Sequence, residues 1–88
     1  MVEPILYTQA GCAESAMVRS WLVDRGIAFT EREASADPEA ALALAATGTF
    51  ATPLLVFGEA NVLGFRPEAL SALHLPVTKQ KRSAPLRG

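Results

Sequence analysis

Residues 5–15 have the sequence ILYTQAGCAES, and this segment contains the only cysteine of the chain, Cys12. The apolar run at its start is typical of a buried strand, and the residues after Cys12 have helical periodicity. Cys12 is therefore predicted where a strand passes into the N-terminus of a helix. The unpaired backbone N–H groups and the dipole of such a helix end favour the thiolate, which is the nucleophilic form of cysteine.

A single cysteine cannot form a disulfide within the chain, so any redox chemistry of Cys12 must involve a partner thiol. Small secreted domains usually carry several disulfides. The N-terminal residues MVEP have neither the basic start nor the apolar run of a signal peptide. We therefore expect a cytoplasmic protein. No apolar run approaches the length of about 18 residues that a membrane span needs, so no membrane partner is expected.

The charge of the chain is unevenly distributed. Its 88 residues suit one small domain, and residues 1–75 hold nine acidic side chains and four arginines. Residues 76–88 hold no acid. Their cations are Lys79, Lys81, Arg82 and Arg87. The sequence thus predicts an acidic domain over 1–75 and a disordered basic tail over 76–88. An acidic domain argues against nucleic acid as the partner.

Hydrophobic periodicity and turn residues divide the chain into strands and helices. The predicted strands are residues 4–8, 27–33, 54–57 and 62–63, and the predicted helices are residues 12–25, 38–47 and 66–73. Gly26 and Gly48 are expected to end the first two helices, with Gly26 in the left-handed conformation. Asp37 is placed to cap the second helix. The order is therefore β-α-β-α-β-β-α.

This order constrains the topology of the sheet. Two strands joined by a helix form a right-handed parallel unit, and the last two strands form an antiparallel hairpin. The predicted fold class is α/β, with a four-stranded mixed sheet covered by helices. Ligands of such sheets bind at the carboxyl ends of the strands, and Cys12 falls at such an end.

A set of motifs occurs in the order and spacing of one family. They are YTQAGCAES at 7–15, RGI at 25–27, Thr52-Pro53 before a predicted strand, and GFRPE at 64–68. On these motifs the chain resembles the glutaredoxin family over roughly residues 3–74. The segment GFRPE is similar to one found in NrdH-type redoxins, a branch of that family. The resemblance implies a thioredoxin-like fold and a thiol–disulfide oxidoreductase.

The resemblance also implies a substrate-binding surface beside Cys12. Its predicted members are Thr8, Thr52, Pro53, Gly64, Phe65 and Arg66. The peptide bond before Pro53 is expected to be cis and to turn the Thr52 backbone toward Cys12, where an extended thiol substrate can pair with it. Backbone N–H groups of the Gly64 segment are expected to hold a carboxylate of glutathione or of a partner protein.

The chain departs from the family pattern at Ser15, which stands where two-thiol members carry a second cysteine. A hydroxyl cannot resolve a mixed disulfide. The expected chemistry is monothiol exchange by Cys12, with glutathione as co-substrate and Ser15 as a hydrogen-bond partner of the thiolate. Glu14 is expected to raise the pKa of Cys12 and to repel the carboxylates of glutathione. We expect a monomer. We also expect no bound metal, because one Cys and one His make no zinc site.

Two other functions fit a single active cysteine. Monothiol glutaredoxins that bridge an iron–sulfur cluster with glutathione carry CGFS, whereas this chain has CAES at 12–15. Arsenate reductases also carry C-x-x-S after a strand, but they need a cluster of arginines and an Arg-Pro where this chain has Thr52-Pro53. A colourless protein after anaerobic purification would exclude the first function. Absence of arsenate-dependent thiol consumption would exclude the second.

Overall fold

The computed structural model describes residues 3–77. Within this range the chain forms, in order, β1 (Ile5–Thr8), α1 (Ala13–Asp24), β2 (Thr30–Glu33), α2 (Pro38–Ala46), β3 (Leu54–Phe57), β4 (Ala60–Leu63) and α3 (Pro67–Ala72). The predicted order of strands and helices is confirmed. The part of the predicted basic tail from residue 78 onward lies outside the described residues.

The strands form one mixed sheet in the order β2-β1-β3-β4. β1 pairs in parallel with β2, from Ile5 opposite Thr30 to Thr8 opposite Glu33. β1 also pairs with β3 in antiparallel, and β3 and β4 form the antiparallel hairpin. β1 thus lies inside the sheet, and its carboxyl end leads into the loop that carries Cys12. The predicted α/β fold with a four-stranded mixed sheet is confirmed.

The core has two parts because successive side chains of a strand point to opposite faces of the sheet. The larger cluster joins β1 and β3 to α1 and α3, and includes Leu6, Val18, Leu22, Leu55 and Leu70. The smaller cluster joins the same strands to α2 and contains Tyr7, Leu44 and Leu54. Burial of one leucine stabilises a fold by about 1.5–3 kcal/mol. The larger cluster therefore fixes α1, and with it Cys12, against the sheet.

The helices begin and end close to the predicted residues. Asp37 caps α2 by accepting a hydrogen bond from the Glu39 N–H at 3.0 Å, and Pro38 takes the first helical position. Gly26 follows the end of α1 with a φ of 72°, the left-handed conformation that the sequence predicts. Within residues 3–77, no helix is both long enough and apolar enough to cross a membrane.

Two predicted strands are wrong in extent. β2 begins at Thr30 rather than at residue 27, and Ile27 instead forms an isolated antiparallel bridge with Val77. Val77, which the charge pattern assigns to the tail, thus pairs with the domain. β4 begins at Ala60 rather than at residue 62, because Ala60 already pairs with Phe57 across the hairpin.

Candidate active site around Cys12

The loop between β1 and α1 holds Cys12 at the N-cap of α1. The Cys12 N–H donates to the Gln9 carbonyl at 3.2 Å, and Gly11 takes a φ of 77°, a conformation that favours glycine. The loop is tied to the rest of the chain by the Ala10 N–H, which donates to Ser35 Oγ at 3.0 Å. The Cys12 side chain is partly exposed. Its position is thus set by backbone contacts while the sulfur stays open to a substrate.

The surroundings of the sulfur lower the pKa of Cys12 from its ordinary value of 9.0. The largest cause is the hydrogen bond that the Ser15 hydroxyl offers to the thiolate, followed by one from the Ser15 N–H. Burial acts in the opposite direction, and smaller contributions come from the Thr52 side chain and the Glu14 N–H. The expectation that Glu14 raises the pKa of Cys12 is wrong, because hydrogen bonds at the start of α1 determine the direction of the shift.

Ser15 lies on the first turn of α1 and is 1% exposed. Its Oγ is fully covered, and while Cys12 is a thiol that donates to Thr52, this Oγ has no hydrogen-bond partner among residues 3–77. A buried hydroxyl without a partner is unfavourable. Loss of the Cys12 proton gives this hydroxyl a charged acceptor. The Ser15 side chain is therefore better satisfied beside the thiolate than beside the thiol.

Thr52 and Pro53 lie beside Cys12 just before β3. The peptide bond between them is cis, as the resemblance implies. The Cys12 thiol donates to the Thr52 carbonyl, with 3.8 Å between Sγ and the oxygen. The buried Pro53 accepts a hydrogen bond from the Gly64 N–H at 2.8 Å. This bond joins the segment before β3 to the segment before α3, so both lie on the Cys12 side of the sheet.

Gly64 and Phe65 form a wall of the site in contact with Glu14. The Phe65 N–H donates to Oε2 of Glu14 at 3.5 Å. The two Glu14 carboxylate oxygens lie 3.7 and 4.0 Å from the position that a Cβ on Gly64 would occupy. The carboxylate therefore rests against the glycine. The Gly64 and Phe65 N–H groups, expected to hold a ligand carboxylate, thus face acceptors within the chain, namely the Pro53 carbonyl and Glu14.

Thr8 belongs to a polar network that the sequence does not predict. It is 1% exposed, and its hydroxyl donates to Glu31 Oε2 at 3.0 Å. The Arg19 guanidinium donates to both oxygens of the same carboxylate, at 2.8 and 2.7 Å, and lowers the pKa of Glu31. All three residues line a cavity of about 350 Å³ together with Cys12. The Thr8 side chain thus supports Glu31 at the edge of this cavity.

Arg66 and Phe65 lie on the outer side of the site. Arg66 is the N-cap residue of α3, and its exposed guanidinium has Nε 3.9 Å from the Glu68 carboxylate. Phe65 is partly buried and lines a shallow cleft of about 390 Å³ along α1 with Met17 and Trp21. Among residues 3–77, no group of three or more His, Cys, Asp or Glu side chains is arranged to hold a metal ion.

A partly exposed cysteine at a helix N-terminus, beside a cis-proline and at the carboxyl end of a central strand, defines a thiol-redox protein of the thioredoxin-like fold. The glutaredoxin family model matches residues 5–60, more than half of the chain. The chain belongs to the glutaredoxin family.

Individual relatives agree with this assignment. The glutaredoxin-like protein NrdH of Escherichia coli strain K12 is 32% identical over 69 residues, which cover 78% of this chain and 85% of the relative. The solved structure of E. coli NrdH-redoxin, a glutaredoxin-like protein with a thioredoxin-like activity profile, has a TM-score of 0.74 at 30% identity and covers 84% and 97% of the two chains. The thioredoxin-like protein BC3987 has a TM-score of 0.76 at 28% identity and covers 81% and 99%. The resemblance to NrdH-type redoxins is thus confirmed.

Proposed function

We propose that this protein is a monothiol thiol–disulfide oxidoreductase that acts through Cys12 on glutathione mixed disulfides or on a disulfide of a partner protein. The observation that carries the proposal is the position of the Cys12 sulfur at the start of α1, where the Ser15 hydroxyl and the N–H groups of Ser15 and Glu14 favour the thiolate. Membership of the glutaredoxin family supports the reaction class. Ser15 in place of a second cysteine restricts the route to one thiol.

The reaction proceeds in two exchanges. In the first, the Cys12 thiolate attacks one sulfur of the substrate disulfide. A new S–S bond forms at Cys12, the substrate S–S bond breaks, and the second substrate sulfur leaves as a thiolate that takes up a proton. In the second, an external thiolate attacks the sulfur bound to Cys12 and forms a disulfide with it, and Cys12 leaves as the thiolate. The external thiol is oxidised and supplies the electron pair, the substrate sulfur that left in the first exchange is the reduced product, and Cys12 returns to its reduced state.

The walls of the site give the substrate its orientation. An extended segment that pairs with the backbone at Thr52 presents its sulfur to Cys12, because the Thr52 carbonyl lies 3.8 Å from Sγ. Phe65 offers an apolar contact, and the exposed Arg66 and Glu68, 3.9 Å apart, offer polar contacts to a partner. The hydrogen bond from the Gly64 N–H to the Pro53 carbonyl joins the segments that carry these groups, and Thr8 holds Glu31 at the edge of the cavity beside Cys12.

The second thiol comes from outside the chain, from glutathione or from a cysteine of a partner protein. E. coli NrdH-redoxin has a thioredoxin-like activity profile. We propose that this chain also reduces disulfides, but not by a two-thiol route, because it has one cysteine. Thiols of both kinds are kept reduced in the cytoplasm. We place the protein there, acting as a monomer.

Mass spectrometry after treatment with oxidised glutathione tests this proposal. We expect one glutathione adduct per chain on Cys12, which a reduced thiol then removes. The Cys12→Ser variant is the control and should form no adduct. A wild-type protein that forms no adduct, with glutathione or with any other disulfide, would refute the proposal.

A second variant tests the one-thiol route directly. Ser15→Cys restores the pair of cysteines within one turn of helix. After the first exchange this variant should release glutathione without any external thiol and form a disulfide within the chain, whereas the wild type should keep its adduct. Spontaneous release of glutathione from the wild type would contradict a monothiol mechanism.

A further inference from the structure

We propose that Glu14 sets the charge selectivity of Cys12, because its carboxylate already holds the Phe65 N–H and so disfavours disulfides that carry a negative charge beside the reacting sulfur. The inference rests on the proposed function and specifies its substrate class. Neutral or positively charged disulfides, such as one on a basic segment of a partner protein, are the preferred substrates. Doubly acidic small thiols such as glutathione are disfavoured.

The Glu14 carboxylate contacts the backbone of Gly64 and Phe65. The Phe65 N–H donates to the Glu14 carboxylate at 3.5 Å, so this backbone group can bind a carboxylate. Gly64 has no side chain, so the carboxylate can approach its backbone, and the two Glu14 oxygens lie 3.7 and 4.0 Å from the site of the missing Cβ. A substrate carboxylate that sought the Phe65 N–H would therefore have to displace Glu14.

Glu14 also belongs to the helix turn that carries the nucleophile. Glu14 is the second residue of α1 and Cys12 is its N-cap, so the contact with Phe65 and the nucleophile belong to the same helix start. An anionic substrate bound at Cys12 would meet the Glu14 charge even if it did not reach the Phe65 N–H. Like charges oppose binding wherever a substrate carboxylate approaches Glu14, more strongly at low salt.

The cations near the site face carboxylates of their own. Arg19 is bound by Glu31 through both guanidinium contacts. Arg66 has Glu68 at 3.9 Å. On the opposite side of Cys12 the cavity is lined by Glu31 and by a second acid, Glu33. The charges that surround the thiol are therefore acidic on balance, in keeping with a preference for neutral or basic substrates.

The test compares second-order rate constants for modification of Cys12 by three disulfides of different charge. Oxidised glutathione is the anionic probe, 2-hydroxyethyl disulfide the neutral probe and cystamine the cationic probe. The measured quantity is the ratio of the glutathione rate to the neutral rate within each variant. Because both probes meet the same thiolate, this ratio does not depend on any change that a substitution makes in the pKa of Cys12.

Two variants separate the charge from the hydrogen bond. Glu14→Gln removes the charge and retains an acceptor for the Phe65 N–H, and Glu14→Ala removes both. We expect Glu14→Gln to raise the ratio by roughly three- to tenfold, and Glu14→Ala to raise it further because the N–H is then free. Glu59→Gln is the matched control. It removes the same charge in the β3–β4 turn, at the end of the sheet away from Cys12, and should leave the ratio unchanged.

The outcomes distinguish this inference from the proposed function. If the ratio of the glutathione rate to the neutral rate is the same in both Glu14 variants as in Glu59→Gln, the charge selectivity is overturned. The proposed exchange chemistry still stands in that case, provided that Cys12 reacts with the neutral probe. Equal ratios in Glu14→Gln and Glu14→Ala would overturn the competition for the Phe65 N–H. Failure of the wild type to react with any probe, the neutral one included, would instead refute the proposed exchange chemistry.

Discussion

Helices α1 and α2 begin with the same backbone conformation but with different chemistry at the N-cap. Cys12 has φ −88° and ψ 110°, and Asp37 has φ −128° and ψ 107°, so both residues are extended. The Asp37 carboxylate accepts a hydrogen bond from the Glu39 N–H at 3.0 Å. The Cys12 side chain makes no capping hydrogen bond. The start of α2 is thus capped by a carboxylate, whereas the N–H groups at the start of α1 are available to an ionised sulfur.

The difference shows how a helix start becomes reactive. An N-cap such as Asp contributes about 0.5–2 kcal/mol of stability relative to Ala, and α1 lacks this contribution while Cys12 is protonated. The N–H groups of Glu14 and Ser15 gain an anionic partner only when the thiol ionises, which is the reason that they lower its pKa. Stabilisation of α1 by its cap therefore depends on the protonation state of Cys12, and stabilisation of α2 does not.

The largest expected effect comes from giving α1 the cap of α2. The Cys12→Asp variant should lose all disulfide exchange, because the nucleophile is gone. Its free energy of unfolding should rise by roughly 0.5–1 kcal/mol at neutral pH, since a carboxylate then accepts from the donors of the first turn. Urea denaturation and adduct mass spectrometry measure the two quantities. A Cys12→Asp variant less stable than the wild type would contradict the comparison of the two helix starts.

The next effect separates the reactivity of Cys12 from the stability of the fold. In Ser15→Ala the pKa of Cys12 should rise toward its ordinary value, because the largest cause of the lowered pKa is removed. At a pH at which Cys12 is protonated, the free energy of unfolding should stay equal or increase by up to about 1 kcal/mol, because the lost hydroxyl is then buried without a partner. Thiolate absorbance against pH and urea denaturation test both statements. An unchanged pKa would show that the hydroxyl does not interact with the thiolate.

The same shift predicts how stability depends on pH. A lowered pKa means that the folded state prefers the thiolate. The contribution of the thiolate to the free energy of unfolding is therefore complete above the pKa of the unfolded cysteine, and it is lost as pH falls through the pKa of the folded state. The difference in unfolding free energy between the wild type and Cys12→Ser should therefore grow in favour of the wild type as pH rises through this window. The difference should be weaker in the Ser15→Ala background.

The smallest expected effect comes from removing the cap of α2. Asp37→Ala should lower the free energy of unfolding by about 1 kcal/mol, because the Glu39 N–H loses its acceptor. The rate of Cys12 modification should not change. Asp37→Asn keeps the cap and is the control, with a loss of less than about 0.5 kcal/mol. A slower Cys12 in Asp37→Ala would show that the two helix starts are coupled.

Much of the fold follows from local signals in the sequence. β3 is predicted over 54–57 because a continuous apolar run is typical of a strand buried on both faces, and the structure has the same bounds. Asp37-Pro38 predicts the start of α2 for a local reason, the cap and the fixed φ of proline. Cys12 lies at a helix start as predicted, and its sulfur has Ser15 and Thr52 as neighbours.

The contacts that the sequence does not predict join positions that are far apart in the chain. Phe65 and Glu14 are 51 residues apart, and Thr8 and Glu31 are 23 apart. No periodicity links such pairs, and their contacts depend on how α1 sits on the sheet. The helix start correctly predicts a lowered pKa for Cys12, but the effect of Glu14 on that pKa is mispredicted for the same reason. A nearby acid in sequence suggests repulsion, whereas the structure turns the Glu14 carboxylate toward Phe65.

Trp21, which lines the cleft with Phe65 and Met17, is the only tryptophan of the chain. Its indole nitrogen is covered without a hydrogen-bond partner among residues 3–77, and the Arg25 guanidinium lies 4.2 Å from its ring centroid. A partner that docked along α1 would alter the surroundings of this ring. The emission of Trp21 would then report the arrival of that partner, so that encounter and bond exchange could be timed separately in one unlabelled sample.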